Sequence, residues 1–387
     1  MKKIKNVWLY NGTEETNNNN IIVGRHKKND ITCIVVQDGI TVIPKKEFQE
    51  MEQLESVTFP NNLVRIEAYA FHACRKLKFI RLPPTLQVIG DNAFLGCTSL
   101  SSIHLPSSLQ KLGNGVFWDC HSLSSITIPS LLTKIEAYTF VGCKSLTNVS
   151  LSVSSKIQSI DKGAFYGCES LSSIHLPSSI TIIESDSFAK CTNLKSIHLP
   201  SSIQHIGQFA FSKCTSLTSI TIPPSILSIG KDSFHYCTSL ESIHIQSTIE
   251  DIIRHTSTTS TTTSTNNNNN GAMMLLRDVI KTNPRVAQSP CTNDSILPLH
   301  LLLMFGYVQS CDSIYNLLMA APFTLSIRDP IYKFYPFLLA ACTPRIQSIE
   351  KNVKSYVEVE HIETIYILLR NAPWVVNILV SKLINSN

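Results

Sequence analysis

Between residues 34 and 250 short apolar stretches alternate with short polar ones on a nearly fixed step. Leu100-Ser101-Ser102-Ile103-His104-Leu105-Pro106 shows the form. Ile103 and Leu105 alternate with Ser102 and His104, the period-2 pattern of a short half-buried strand. Pro106 has no N–H to give a ladder and ends it. Ser107 to Gly113 offers a second short extended piece, and Gly113 permits the positive φ of a turn. Val116-Phe117-Trp118-Asp119-Cys120 closes the unit. Phe and Cys at i, i+3 predict a single helical or 3₁₀ turn there.

The closure recurs as Phe71/Cys74, Phe94/Cys97, Phe117/Cys120, Phe140/Cys143, Phe165/Cys168, Phe188/Cys191, Phe211/Cys214 and Phe234/Cys237. The step is 23 residues each time but one, where it is 25. Such a period predicts one supersecondary unit stacked on copies of itself. Strand centres then fall at Ile34, Val57, Ile80, Ile103, Ile126, Val149, Ile174, Ile197, Ile220 and Ile243. The Phe48 unit has Met51 in place of Cys, and before it only Ile34-Val35-Val36 aligns. Terminal repeats are atypical, so residues 1–33 are expected to form an N-terminal cap region. Val7-Trp8-Leu9-Tyr10 is expected to add a capping strand, with Asn17 to Asn20 as a loop. The solenoid itself is expected to span 34–252.

The Leu-x-x-Ile-x-Leu-Pro strand, the Ile-Gly turn and the Ala-Phe-x-x-Cys closure resemble the 23-residue leucine-rich repeats of the BspA, or treponemal, type. Leu77 to Cys120 and Leu171 to Cys237 match best. The resemblance implies a right-handed solenoid with one long parallel sheet and short helical or 3₁₀ turns. It also implies an interaction module with no catalytic repeat position. One unit departs: Ser152, not Pro, follows Leu151, and two extra residues precede Ile157. A bulged turn is expected there.

After Ile252 the pattern stops. Thr256 to Thr265 is Thr and Ser alone, and Asn266 to Asn270 is polyasparagine. Such a tract buries no apolar area to offset its ordering entropy, so 253–271 reads as a disordered linker. From Ala272 the spacing becomes helical, with Met273, Leu276, Val279 and Ile280 at i, i+3, i+6, i+7. Ser313 to Pro322 and Thr364 to Pro373 match each other, each after a helical run. A small all-α helical-repeat domain is expected over 272–387. Pro298-Leu299-His300-Leu301 with Gly306 resembles the start of an ankyrin repeat, where His300 would support the turn. Helical hairpins packed as a bundle are the alternative.

Composition narrows the function classes. Charged residues make up 16% of the chain, against about 25% in typical soluble domains. Ser, Thr and Asn fill the deficit, so the solvent face is polar and largely uncharged. The net charge of +5 is spread out. Its one basic run, Arg25-His26-Lys27-Lys28, reads as a solvated loop, and no nucleic-acid partner is expected. The apolar stretch after Met1-Lys2-Lys3-Ile4-Lys5 is too short for a signal peptide. No stretch reaches the roughly 20 apolar residues of a membrane span. The expectation is an intracellular, cytoplasmic monomer. Its twelve cysteines should remain thiols, and the sequons at Asn11, Asn148 and Asn293 should stay unmodified.

The cysteines invite a metal or redox reading. Zinc wants ligands converging tetrahedrally, and cysteines a full repeat apart form a line. They are expected to be buried fillers beside Phe. No Gly-rich phosphate loop, H-E-x-x-H or G-x-S-x-G is present. No catalytic residue, metal or cofactor is expected. The candidate site is the outward sheet face. One row runs Thr58, Arg81, His104, Thr127, Ser150, His175, His198, Thr221 and His244. Its neighbour runs from Ser56 through Phe79 to Ser242, with Phe79 and Arg81 at one end. Solenoids use such continuous faces for extended partners. The expected function is a non-catalytic protein-interaction module or scaffold. A surface-adhesion protein of the BspA-like type is the alternative.

Overall fold

The computed structural model describes residues 7–12, 22–23, 26–27, 30–151 and 154–246. The expected loop at Asn17 to Asn20, residues 152–153 of the expected bulged turn before Ile157, the linker at 253–271 and the ankyrin-like helical domain at 272–387 lie outside the described residues. The chain divides into two compact units, 1–217 and 218–387.

The first unit opens with β1 (Val7–Tyr10) and a small antiparallel pair, β2 (Ile22–Val23) and β3 (His26–Lys27). Part of the basic run is therefore paired strand rather than loop. β4 (Cys33–Val36) and β5 (Val42–Ile43) follow. Each later coil carries a principal strand and then a two-residue strand. These are β6 (Ser56–Thr58) with β7 (Arg65–Ile66), β8 (Phe79–Arg81) with β9 (Val88–Ile89), and β10 (Ser102–Ile103) with β11 (Lys111–Leu112). Then come β12 (Ser125–Ile128) with β13 (Lys134–Ile135), and β14 (Asn148–Leu151) with β15 (Ser159–Ile160). β16 (Ser173–His175) with β17 (Ile182–Ile183), and β18 (Ser196–His198) with β19 (His205–Ile206), complete the unit's strands.

The principal strands pair in parallel, one coil to the next, in the order β1-β4-β6-β8-β10-β12-β14. Register follows the repeat: Val57 faces Ile80, and Ile80 faces Ile103. β1 joins as the expected capping strand, Trp8 opposite Ile34. The sheet is not the single long one the resemblance implies. Beyond β14 a separate pair, β16 and β18, takes over. The break falls at the unit that carries the two extra residues. The short strands form a second layer, with β5, β7, β9 and β11 in one sheet. β13, β15, β17 and β19 pair in turn beside it.

The core between these layers is the predicted one. Ile34, Val57, Ile80, Ile103, Ile126, Val149, Ile174 and Ile197 are all buried. The phenylalanines form a ladder, with neighbouring ring centroids from 5.2 Å (Phe165–Phe188) to 5.9 Å (Phe94–Phe117). From Phe71 to Phe211 the rings are nearly parallel, 2° apart at Phe188–Phe211. Those centroid distances exceed the strand spacing of about 4.8 Å, so the rings are offset.

The closing segments correct the sequence reading. Among the described residues there is no α-helix, and the Phe–Cys closures are turns rather than 3₁₀ helix. The residues two before and two after each phenylalanine have left-handed φ. Around Phe71 these are Tyr69 (φ 61°) and Ala73 (φ 58°). A 3₁₀ turn needs an unbroken run near −60°, which these positions interrupt. In exchange, three N–H groups per coil reach the next one. Tyr69 N–H donates to Asp91 O at 2.9 Å, Phe71 N–H to Ala93 O at 2.7 Å and Ala73 N–H to Leu95 O at 2.7 Å. Gly113 also differs: its φ is not positive. A Cβ there would lie 2.6 Å from the Asp91 nitrogen, so close coil packing demands the glycine.

In the second unit β20 (Ser219–Ile222), β21 (Ser228–Ile229) and β22 (Ser242–Ile245) repeat the pattern. β20 and β22 pair in parallel, Ile220 opposite Ile243. Phe234 and Cys237 are buried, and Phe234 lies between left-handed Asp232 and Tyr236.

Candidate functional site: the outward sheet face

On each principal strand the central residue turns inward and its neighbours turn out, because strand side chains alternate. Phe79, Arg81, His104, Thr127, His175 and His198 are exposed, while Ser150 is half-buried. His175 and His198 sit directly opposite each other on β16 and β18. In the second unit Thr221 and His244 are paired and half-buried. The two outward rows are thus placed as the spacing predicts. One detail changes: Phe79 and Arg81 are not at an end. β8 is the middle strand of seven, because β1 and β4 precede the strands that carry the two rows.

Phe79 is 63% exposed, the most exposed large apolar side chain among the described residues. Its partners in register are Ser56 on β6 and Ser102 on β10. Two small neighbours leave the ring standing above a depression of about 840 Å³. Ser56, Phe79, Arg81, Ser102 and His104 line it, and Pro84, Pro106 and Ser107 close the side where the strands end. Pro84, Pro106 and Ser107 were not among the expected site residues. Pro106 is the strand-ending proline of its unit, and Pro84 and Ser107 each follow such a proline, at the rim.

The hydroxyls of this protein divide by position. Those at the coil corners donate to the carbonyl of the preceding coil: Ser108 to Leu86 O at 2.7 Å, Ser202 to Ile180 O at 2.6 Å, Thr147 to Ser124 O at 3.1 Å. The outward polar groups of Ser102, Ser125, Thr127, Asn148, Ser173 and Ser196 have no such partner among the described residues. The Ser and Thr content therefore serves two ends, inter-coil fastening and a face left open to solvent.

Charge divides in the same way. Arg65 pairs with Glu67 at 2.9 Å, Lys144 with Glu169 at 3.3 Å, and Arg75 lies 3.9 Å from Glu52. Lys134 bonds Glu136 at 2.9 Å, and that bond, with Asp161 beside it, raises its pKa. Arg81 makes no ion pair among the described residues. His72, behind the sheet in a closing turn, is held below the usual imidazole range by burial, with Glu50 opposing.

The ladder cysteines are far from this face. Each is fully buried, and burial pushes the thiols of Cys97, Cys120, Cys143 and Cys168 well up and that of Cys191 to about 12. They are more than the apolar fillers expected. From Cys74 to Cys214 each thiol donates to the phenylalanine carbonyl of the coil before it, as Cys97 Sγ to Phe71 O at 3.2 Å and Cys143 Sγ to Phe117 O at 3.1 Å. Among the described residues no group of three or more His, Cys, Asp or Glu is placed to hold a metal ion, and no helix is long and apolar enough to cross a membrane.

Among solved structures the chain is similar to a leucine-rich repeat protein from Bacteroides ovatus. Identity is 34%, with 62% of this chain and 58% of that one covered, at a TM-score of 0.51. A leucine-rich repeat protein of T. pallidum aligns at 25% identity over 43% of this chain and 65% of that one, at a TM-score of 0.35. This chain therefore spans less than two thirds of the length of either protein. No curated protein matches it. The BspA type leucine rich repeat region is matched over residues 24–147 and 133–263, more than half of the sequence. The chain belongs to the BspA-type leucine-rich repeat family.

Proposed function

We propose that this protein is a non-catalytic interaction module that binds a protein partner across the outward face of its principal strands. One observation carries the reading: that face holds polar groups without partners around an exposed aromatic ring, whereas polar groups at the coil corners are hydrogen-bonded within the protein. Unmet hydrogen-bonding capacity beside exposed apolar area is what an interface uses. Parallel strands one coil apart also present side chains at a regular spacing, which suits an extended segment. A reducing, intracellular setting fits buried thiols that serve as hydrogen-bond donors.

The test is affinity capture from the source cells with the full chain. A variant carrying His104→Ala, His175→Ala and His198→Ala should lose the partner that the native chain retains. Lys162→Ala, in a closing turn, should retain it. Equal capture by the triple variant overturns the assignment of this face.

A further inference from the structure

We propose that the partner segment is acidic: an extended peptide whose carboxylates meet Arg81 and the hydroxyl rows while an apolar side chain rests on Phe79. This rests on the reading that the outward face is the binding face, and adds the chemistry of what binds there.

The charge pattern carries it. No Asp or Glu occupies either outward row on any principal strand from β1 to β18. Among the described residues of this unit, carboxylates lie instead in turns, as Asp119 and Glu169 do, or beside the short strands, as Glu67, Glu136 and Asp161 do. Glu55 comes nearest, just before β6. It precedes Thr58, the residue opposite Arg81, by three positions, about 10 Å of strand. Arg81 is exposed on the central strand with no carboxylate in reach, and Lys78 stands just before the same strand. An exposed guanidinium offers a fork of donors that fits a carboxylate in two-point contact.

The rest of the depression narrows the class. Ser56, Ser102 and Ser107, which line it, can donate to further carboxylate oxygens. Phe79 adds apolar area that a purely ionic ligand would not use. A nucleic acid needs several permanent cations tracking its phosphates. The outward rows of β6, β8, β10 and β12 hold one, Arg81. A peptide with alternating acidic and apolar residues fits one arginine, one aromatic ring and many hydroxyls.

The test titrates the full chain into two labelled synthetic peptides, read by fluorescence anisotropy. One alternates aspartate with leucine. The other replaces every aspartate by asparagine. The acidic peptide should bind at least about tenfold tighter, with affinity falling as salt rises. Arg81→Gln and Phe79→Ser should each weaken it about tenfold. Arg65→Gln, whose charge is already paired with Glu67, should change nothing. Absence of binding, equal binding of the two peptides, or an unchanged affinity in Arg81→Gln overturns the proposal. If both peptides bind equally and Phe79→Ser abolishes both, the acidic partner falls and the face stands. If the acidic peptide binds unaffected by either variant, the face falls as well. Displacement of the peptide by a lower concentration of oligo-dT overturns the proposal in favour of a nucleic-acid ligand.

Discussion

Cys97 sends its thiol proton to the Phe71 carbonyl at 3.2 Å, and Cys74 sends its backbone N–H to the same oxygen at 3.2 Å. Both lone pairs of a buried carbonyl are thereby met, one from its own coil and one from the next. The burial of cysteine beside phenylalanine is legible in the i, i+3 spacing. The thiol's acceptor is not, because it lies 26 residues back in the preceding coil. The same burial has a consequence at high pH. A thiol pushed to about 12 in the folded state, as at Cys191, stays protonated where the unfolded chain, near 8.5, has ionised. The folded state then binds more protons, so stability is full below about pH 8.5 and falls as pH rises toward the folded pKa. Each such thiol should cost about 2 kcal/mol by about pH 10, at about 1.4 kcal/mol per pH unit. Cys97, Cys120, Cys143, Cys168 and Cys191 all share the direction. Urea midpoints should therefore drop steeply between about pH 8 and pH 10. Cys97→Ala should lose about 1–2 kcal/mol at neutral pH but recover about 2 kcal/mol of the alkaline loss. An alkaline loss equal in native and variant chains would show that these thiols do not cause it.

The closing turn is the element that sequence reading missed. Strands declare themselves by alternation, and their determinants are local: apolar centre, polar flanks, proline stop. The turn has no such signature. Lys46, Tyr69 and Phe209 hold the same left-handed position that Gly115 and Gly163 hold in other coils. Nothing about lysine, tyrosine or phenylalanine favours positive φ, which costs an ordinary residue about 1–2 kcal/mol. The conformation is imposed from outside the segment, by three inter-coil hydrogen bonds that only this alternation of hands can make. A pair of substitutions at one register position tests this. Gly96 has φ 73°, and a Cβ added there would meet the Ala73 backbone at an ordinary 3.6 Å. Gly96→Ala should then cost about 1 kcal/mol through backbone strain alone. Ala73, one coil earlier at φ 58°, should behave oppositely. Ala73→Gly relieves strain and gives back part of it as unfolded-state entropy, a net gain of about 0.5 kcal/mol. Urea denaturation of the two variants reads both signs. A loss from Ala73→Gly would mean that the left-handed turn is not strained.

At the scale of the first unit, the two outward rows follow from the repeat register, so their membership is legible in the sequence. The centre of the site is not. Phe79 is a middle residue of the face because β1, which lacks the repeat signature, and β4, where the strand alone aligns with it, extend the sheet on that side and β14 ends it on the other. The depression also depends on two serines from neighbouring coils, a juxtaposition visible once register is fixed in space. Those same early strands shield the end of the core. Tyr10 is 2% exposed, its ring 5.1 Å from Phe48 and 5.5 Å from Trp8, both edge-on. Trp8 in turn lies 5.6 Å from Phe48. The parallel ladder thus ends in a crossed cluster that covers the terminal ring, as a solenoid end requires. Removing a buried aromatic ring costs about 3–5 kcal/mol, and Tyr10→Ala should approach the lower figure because the site is terminal. In a repeat stack each coil contacts its neighbours, so the damage should stay near that end. Hydrogen exchange in Tyr10→Ala should accelerate first at the Cys33–Val36 strand and the Phe48 turn. Protection at the Phe188 and Phe211 coils should change little. Uniform acceleration along the unit would instead mean that these coils unfold together, with the cap acting on the stability of the whole unit rather than of its end.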